Sequence, residues 1–565
     1  MAEIHTEPLA PVPDDLTIPQ FFLDYNHPLR PVRTNLSSWL IEDATGRQIG
    51  YEEIRARTFG LANELRARWN ISENDVVCLF SPNDVDWPVI LWAVHRLGAV
   101  LSPANPGYSA EELAHQITLS EARVLVTHVA SLAAAQEAAQ SAGIPPERII
   151  VLGPKPSGSS YATVEELIAS GLARLPTFVE RRLAPGEAKT KRAFLCFSSG
   201  TTGKPKAVEV THYSMISNNI QMRQLVGKAP RYEAGDVALG VLPFFHVFGM
   251  VVLLHFHMFM GITVVVVPKF SFENFLSSIQ RYRVKHLFVV PPMVVLLCKH
   301  PATKKYDLST VRWMMSGAAP LSAELTAQVN QVMPQCHALQ GYGLTETFTT
   351  VALSPNDVLP PTPGCAGVLI PGLTARVVKP DGTLAKYGEP GELVVSGPSM
   401  ALGYYKNPQA TKDTFIDGWV RTGDEVVINE KKEVFILDRI KEILKVKGFQ
   451  VAPAELEGHL LNHADVADCC VVGVPDDYSG ELPLAFVALS EAALERVKTT
   501  PAEAERIKAA LMKHVADAKV EYKRLAGGVE FIDVIPKNPS GKLLRRVLRD
   551  RARTMRAKSP AKAKL

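Results

Sequence analysis

The sequence predicts an α/β protein: a large N-terminal domain of helix-covered, parallel-rich sheets, followed by a small α+β domain. Apolar runs of strand length alternate with helical patterns through most of the chain, the order that builds parallel sheets covered by helices. Thus "VVCLFSP" precedes "DWPVILWAVHRLG", and "RVLVTHV" precedes "SLAAAQEAAQSAG". At 565 residues the chain is too long for one core, so several domains are expected. Near residue 438 the apolar density gives way to the charged segment "VFILDRIKEILKVKGFQVAPAE". After it, "DCCVVGVPD", "PLAFVALS", "AEAERIKAALMKHVADAK" and "GVEFIDVIP" supply a second, smaller set of strands and a long helix. The expected division is residues 1–437 and 438–565, joined at a charged hinge.

A composition of 47% apolar and 21% charged residues is that of a folded globular protein, and a net charge of +3 argues against nucleic acid as the main partner. The seven cysteines follow neither a disulfide framework nor CxxC metal spacing, so reduced core thiols of an intracellular protein are expected. "MAEIHTEPLAPVPDDLTIPQ" is acidic and Pro-rich and lacks the apolar core of a secretory signal. The basic excess gathers in the tail, where Ala563-Lys564-Leu565 has the small-basic-leucine form that a peroxisomal import receptor reads; without that address a cytoplasmic location is expected. Between Asp236 and Lys269 no Asp, Glu, Lys or Arg occurs, and "VLPFFHVFGMVVLLHFHMFMGITVVVV" is long enough to span a bilayer. Pro243, Gly249, Gly261, the histidines at 246, 255 and 257, and the β-branched end predict instead a buried strand-turn-helix-strand unit. No carboxylate or thiol accompanies these histidines, so packing rather than metal ligation is expected of them.

"SSGTTGKPK", from Ser198 to Lys206, is the first stretch that carries chemistry. A Walker A loop must open directly onto a helix, whose N-terminal amides help hold the phosphates. Here Pro205 and "AVEV" continue as a strand, and only Thr211 can cap a helix, so the loop joins two strands. Gly200 and Gly203 allow its amides to converge on an anion, Ser198, Ser199, Thr201 and Thr202 add hydroxyl donors, and Lys204 and Lys206 add charge. Alone, the stretch reads equally as a Gly/Ser/Thr surface turn. "TET" at 345–347 likewise reads alone as a helix cap with its first-turn acid.

The loop "SSGTTGKPKAVEVTH" is followed in order by "PFFHVFG", "SGAAPL", "QGYGLTET", "GELVVSGPSMALGYYKNPQAT", "DGWVRTGDEVV", "DRIKEILKVKGFQVAPAELE" and "PKNPSGKLLRR". This ordered set, over about residues 50 to 550, resembles the adenylate-forming acyl-CoA synthetase superfamily, in particular 4-coumarate-CoA ligases and fungal phenylacetyl-CoA ligases. The resemblance implies the adenylate-forming enzyme fold, with a β-barrel-like subdomain and a mobile small domain, and a ligase that uses ATP, Mg²⁺ and CoA. It implies that Ser198 to Lys204 and Lys206 hold the ATP phosphates, that Glu346 binds Mg²⁺, and that Thr345 contacts the α-phosphate. Gly317-Ala318-Ala319, Gly341, Tyr342 and Gly343 would enclose the adenine, Asp424 would accept from the ribose hydroxyls, and Arg439 would contact the ribose or phosphate. Lys542 would bridge substrate carboxylate and nucleotide. The small domain would then rotate about Lys441, withdraw Lys542, and bring Lys445, Gln450 and the CoA-contacting Lys447, Gly448 and Phe449 forward.

The same resemblance places the acyl pocket at Phe244, Phe245, His246, Val247, Phe248, Gly249, Met250, Ser316 and Gly341. Relatives that activate amino acids carry an Asp before this pocket to hold the ammonium. "PFFHVFGM" has no acid, and a buried unpaired ammonium is costly, so an aryl, arylalkanoic or medium-chain fatty acid is expected. His246 reads as an aromatic gate rather than a base. Three alternatives remain at this point: a luciferase-like oxygenase on the same fold, a membrane-associated acyl transporter, and a catalytically dead binding module, which would be expected to have lost Lys542, Glu346 or Asp424, all present here.

Overall fold

The computed structural model describes residues 3–31, 38–198, 205–227, 232–355, 359–476, 478–538 and 541–558. Ser199 to Lys204 of the loop, and Ala563-Lys564-Leu565, lie outside the described residues. Among the described residues the strands form four sheets. An eight-stranded sheet has a parallel body, Arg192–Ser198, Val100–Ala104, Val76–Phe80, Ala122–His128 and Ile149–Leu152, each strand apolar and buried. A nine-stranded sheet has a second parallel body, His337–Leu344, Trp313–Ser316, His286–Val289, Val237–Gly240 and Thr263–Val266. Burial on both faces explains why these strands read as unbroken apolar runs rather than alternations.

The uncharged stretch forms the strand-turn-helix-strand unit that the sequence predicts. Strand Val237–Gly240 leads to a π-helix, Phe248–Phe256, which runs into the helical turn His257–Met260. Gly261, at φ +74°, caps it before strand Thr263–Val266. Among the described residues no helix is long and apolar enough to cross a membrane. The histidines there pack and bond: His255 donates from Nδ1 to the Met250 carbonyl at 2.7 Å and accepts from Trp92 Nε1 at 3.1 Å. All seven cysteines are free, six buried and Cys298 half-buried.

Asn83, in the loop after strand Val76–Phe80, ties the two large sheets together. Its Nδ2 donates to the carbonyls of Gly240 at 3.0 Å, Leu242 at 2.9 Å and Val267 at 3.3 Å, and its Oδ1 accepts from Phe244 N at 2.7 Å. One buried amide thereby sets where the "PFFHVFG" stretch leaves its strand.

A six-stranded antiparallel sheet follows, built on the long strand Trp419–Ile428, which pairs with Gly391–Ser396 on one side and Val434–Arg439 on the other. Asp438 and Arg439, grouped by the sequence with the small domain, pair in this sheet, and the change of sheet falls in the turn at 440–443. The small domain then forms a five-stranded sheet around the hairpin Val466–Asp476 and Gly480–Leu489, with the helices Pro453–Leu460 and Ala502–Ala518 among those packed on it.

His95, His212 and His255 are fully buried. Burial drives His95 down to about 3 and His255 to about 4, and holds His212 well below its ordinary value. The unfolded chain gains protons at these rings below about pH 6.5 while the folded chain does not, so their contribution is whole above that pH and is lost as pH falls towards 4. The urea midpoint is expected to fall steeply between pH 7 and 4.5; a flat midpoint over that range would contradict neutral burial.

Candidate active site

The site gathers where the strand His337–Leu344 ends beside the six-stranded sheet. Strand pairing sets Asp424 directly opposite Arg439. Arg439 Nε lies 3.0 Å from Asp424 Oδ1, and Tyr342 Oη donates to Oδ2 at 2.7 Å. Burial raises the Asp424 pKa, and the guanidinium and the phenol act against that rise. A buried carboxylate is tolerated only with such partners. Gly343 is dictated by packing, since a Cβ there would lie 1.5 Å from the Thr349 carbonyl oxygen.

Glu346 stands in the turn after that strand. Its Oε1 accepts from Ser198 Oγ at 3.1 Å and Tyr404 Oη at 2.8 Å. The Lys206 ammonium lies 4.8 Å from the Tyr404 ring centre, so Lys206, at the root of the 199–204 segment, and Glu346 share one aromatic support. The loop's flanking strands pair antiparallel with Ser198 opposite Lys206, and Thr211 caps the helix His212–Val226 by accepting from Ser214 N at 3.0 Å, the strand-to-strand setting that the sequence predicts.

Lys542 comes to this site from the small domain. Asn538 closes the turn that carries it: the Lys542 amide donates to Asn538 Oδ1 at 2.8 Å, and Gly541 turns at φ +82°. Burial and the Arg439 guanidinium hold the Lys542 ammonium below its ordinary pKa, while Glu442, Asp424 and Glu346 pull it up. His246 also feels Lys542; burial, with that charge, pushes the imidazole down to about 4, which keeps it a neutral ring.

His246, Phe245 and Val247 line a narrow cavity of 20 Å³ with Tyr108, Phe197 and Thr345. Phe244 and Met250 lie elsewhere, fully buried, with Phe244 edge-on to Trp87 at 6.0 Å. Gly249 is held by backbone, a Cβ there falling 2.1 Å from the Pro243 oxygen, and at Gly317 one would meet the Phe248 ring at 2.9 Å. Ser316 is buried at the end of its strand, Gly341 lies against Leu353 and Met315, and Ala318, before Ala319, takes a left-handed φ of +67°.

Of the residues expected to serve the second step, Lys447 and Phe449 are engaged within the small domain, while Gln450 reaches the large one. Lys447, at φ +51°, pairs with Glu521 at 2.9 Å, and Phe449, 55% exposed beyond Gly448, stacks on Tyr522 at 4.5 Å. Lys441 and Lys445 are exposed, and Gln450 bonds Glu425, the neighbour of Asp424. Sequence reasoning missed Tyr404, although "GYYKNP" stood in a quoted motif, and Arg545, three residues past Lys542. Buried Arg545 bonds Glu457 at 2.7 Å and pairs with Glu442 at 3.4 Å, so the segment after Lys542 is tied to the turn at 440–443.

Residues 29–405 match the family model of AMP-binding enzymes, and residues 455–542 that of the AMP-binding enzyme C-terminal domain. The chain belongs to the AMP-binding enzyme family. It is 35% identical to 4-coumarate-CoA ligase 2 of Narcissus pseudonarcissus, over 91% of this chain and 89% of that one. It is 33% identical to the acyl-CoA ligase easD of Emericella nidulans, over 95% and 97%. The crystal structure of ATP-bound MatB from Rhodopseudomonas palustris, 26% identical, superposes with a TM-score of 0.80 over 96% of this chain and 99% of that one. The apo MatB structure, 27% identical over the same shares, gives 0.69.

Asp424, held by Tyr342 and Arg439, is the ribose contact that the sequence predicts. Asp424→Asn keeps the shape and removes the charge, and it is expected to weaken AMP binding by roughly tenfold to a hundredfold, the worth of hydrogen bonds to a charged group. Titration calorimetry measures this; unchanged affinity would take Asp424 out of the nucleotide site.

Proposed function

We propose that this AMP-binding enzyme is an acyl-CoA ligase that works in two steps. In the first, a carboxylate oxygen of the acid attacks the α-phosphorus of ATP, the bond from that phosphorus to the α,β-bridging oxygen breaks, and pyrophosphate leaves as an acyl-adenylate forms. In the second, the CoA thiol gives up its proton and attacks the acyl carbon, and AMP departs. The observation that carries this reading is that the buried Lys542 ammonium, from the small domain, lies within electrostatic reach of the paired Asp424 and Arg439 and of Glu346 of the large one. An anionic nucleophile meets a polyanionic electrophile in the first step, so fixed cations are the main requirement. The higher TM-score with ATP-bound than with apo MatB supports reading this arrangement as that of the first step.

Asp424 would hold the ribose hydroxyls, and Arg439 and Lys542 the charge that develops between acid and α-phosphate. Glu346 fits a Mg²⁺ role: among the described contacts both hydrogen bonds fall on Oε1, leaving Oε2 for a hard cation completed by phosphate oxygens. That ion would neutralise phosphate charge when bound. The residues with Lys447, Gly448 and Phe449 would meet CoA after the small domain turns at 440–443.

The stretch Phe244 to Met250 carries no acid to pair a buried ammonium, and its His246 is a neutral ring, which supports an aryl, arylalkanoic or medium-chain fatty acid over an amino acid. Pyrophosphate release with ATP, Mg²⁺ and CoA is expected for members of a panel of cinnamic, phenylacetic and C4 to C14 acids; release with none would refute the ligase reading. Lys542→Ala is expected to abolish acyl-adenylate formation yet keep thioester formation from supplied acyl-adenylate, and equal loss of both would contradict two arrangements. The tail reading has its own check: a reporter ending in residues 551–565 should enter peroxisomes and stay cytosolic when Ala563-Lys564-Leu565 is removed.

A further inference from the structure

Seating the small domain depends on a small set of contacts, and two of them are matters of shape. Gly458, in the helix Pro453–Leu460, lies so near the large domain that a Cβ there would sit 3.0 Å from Ser322 Cβ. Gly541 is equally close to Val290, a Cβ there falling 2.7 Å from its Cγ2. A third contact is directional and charged. Lys299 ends the large-domain helix Pro291–Lys299, and its Nζ donates to the carbonyl oxygens of Leu461 at 2.5 Å and Val466 at 2.8 Å. Leu461 is the C-cap of the small-domain helix Pro453–Leu460.

The last carbonyls of a helix lack partners within the helix and carry the negative end of its dipole. A lysine is a good partner for them, and it normally comes from the helix's own last turn. Here it comes from the other domain, so the cap exists only while the domains are in this arrangement. Nearby, Gln328 Nε2 of the large domain reaches Asn462 Oδ1 at 3.3 Å, extending the same contact along the chain that leaves the helix. This is the arrangement that seats Lys542 among Asp424, Glu346 and Arg439.

We infer that Lys299 is a positioning residue for the first half-reaction: by capping the Pro453–Leu460 helix across the domain boundary, it biases the small domain towards the arrangement that places Lys542 in the site. The inference rests on the two-step reading above. The Lys299 ammonium contacts carbonyls of the small domain and no reacting atom, so its loss acts on the balance of arrangements and not on the chemistry of either.

The test measures the two half-reactions separately, acid-dependent adenylate formation from ATP and thioester formation from supplied acyl-adenylate and CoA. Wild-type chain must perform both; if it performs neither, the ligase reading fails before Lys299 is at issue. Lys299→Met keeps the apolar stem and removes the donor. Roughly tenfold slower adenylate formation is expected, with thioester formation unchanged or faster, and Lys299→Arg should restore most of the first rate. Equal loss in both half-reactions, no loss in either, or no rescue by Lys299→Arg would overturn the inference. Should Lys299→Met not fold, Gln328→Ala probes the same contact and must show the same split at smaller amplitude; an even effect there counts against the inference equally.

Discussion

The arrangement turns on one electrostatic requirement: the Lys542 ammonium, carried by one domain, must enter a site whose carboxylates belong to the other. Burial alone disfavours that charge, and Arg439 beside it adds repulsion; Asp424, Glu346 and Glu442 make it tolerable. The carboxylates in turn need partners that stay when Lys542 leaves, because stripping the partner from a buried charge is costly. Those partners come from the large domain itself. Tyr342 and Arg439 hold Asp424, and Ser198 and Tyr404 hold Glu346. The polar groups are therefore aligned before any nucleotide arrives, the condition under which fixed charges lower a barrier without reorganising.

A residue that must come and go needs a hinge, an arm and a seat. On the two-step reading, the hinge would be the turn at 440–443, where strand Val434–Arg439 leaves the large domain's sheet. The arm is stiffened by Arg545, which ties the segment past Lys542 to Glu457 in the small domain's core and to Glu442 in the turn. Burial raises Glu457 to about 7 despite that guanidinium, so the ion pair sits in a poorly solvated place. The seat is the contact of the helix Pro453–Leu460 with the large domain, tight at Gly458 and capped by Lys299. Meanwhile Lys447 and Phe449 sit with Glu521 and Tyr522 of their own domain, away from the cluster. On the two-step reading proposed above, the small domain would carry two chemistries at two places, with rotation selecting between them.

Much of this was readable in the sequence, because motif residues carry their chemistry in their identity. Pro205 alone excluded a Walker loop, and the paired strands on either side agree. Gly261 and the β-branched run after it marked the uncharged stretch as helix and strand rather than a membrane span. Packing was not readable. Phe244 and Met250 share a motif with His246, yet they face the core, since which side of an irregular segment points inward depends on the sheet beneath it. Asn83 and Lys299 have no motif: an Asn after a strand and a Lys at a helix end are ordinary until the fold brings distant carbonyls to them. Their signal is three-dimensional satisfaction of backbone groups, which one-dimensional spacing does not contain.

The most direct measurement is exchange of labelled pyrophosphate into ATP with a carboxylic acid present and CoA withheld. Adenylate formation at the Lys542 site should sustain this exchange without any thiol, and Lys542→Ala should stop it. Exchange that required CoA, or formation of ADP in place of AMP, would contradict an acyl-adenylate made at this site.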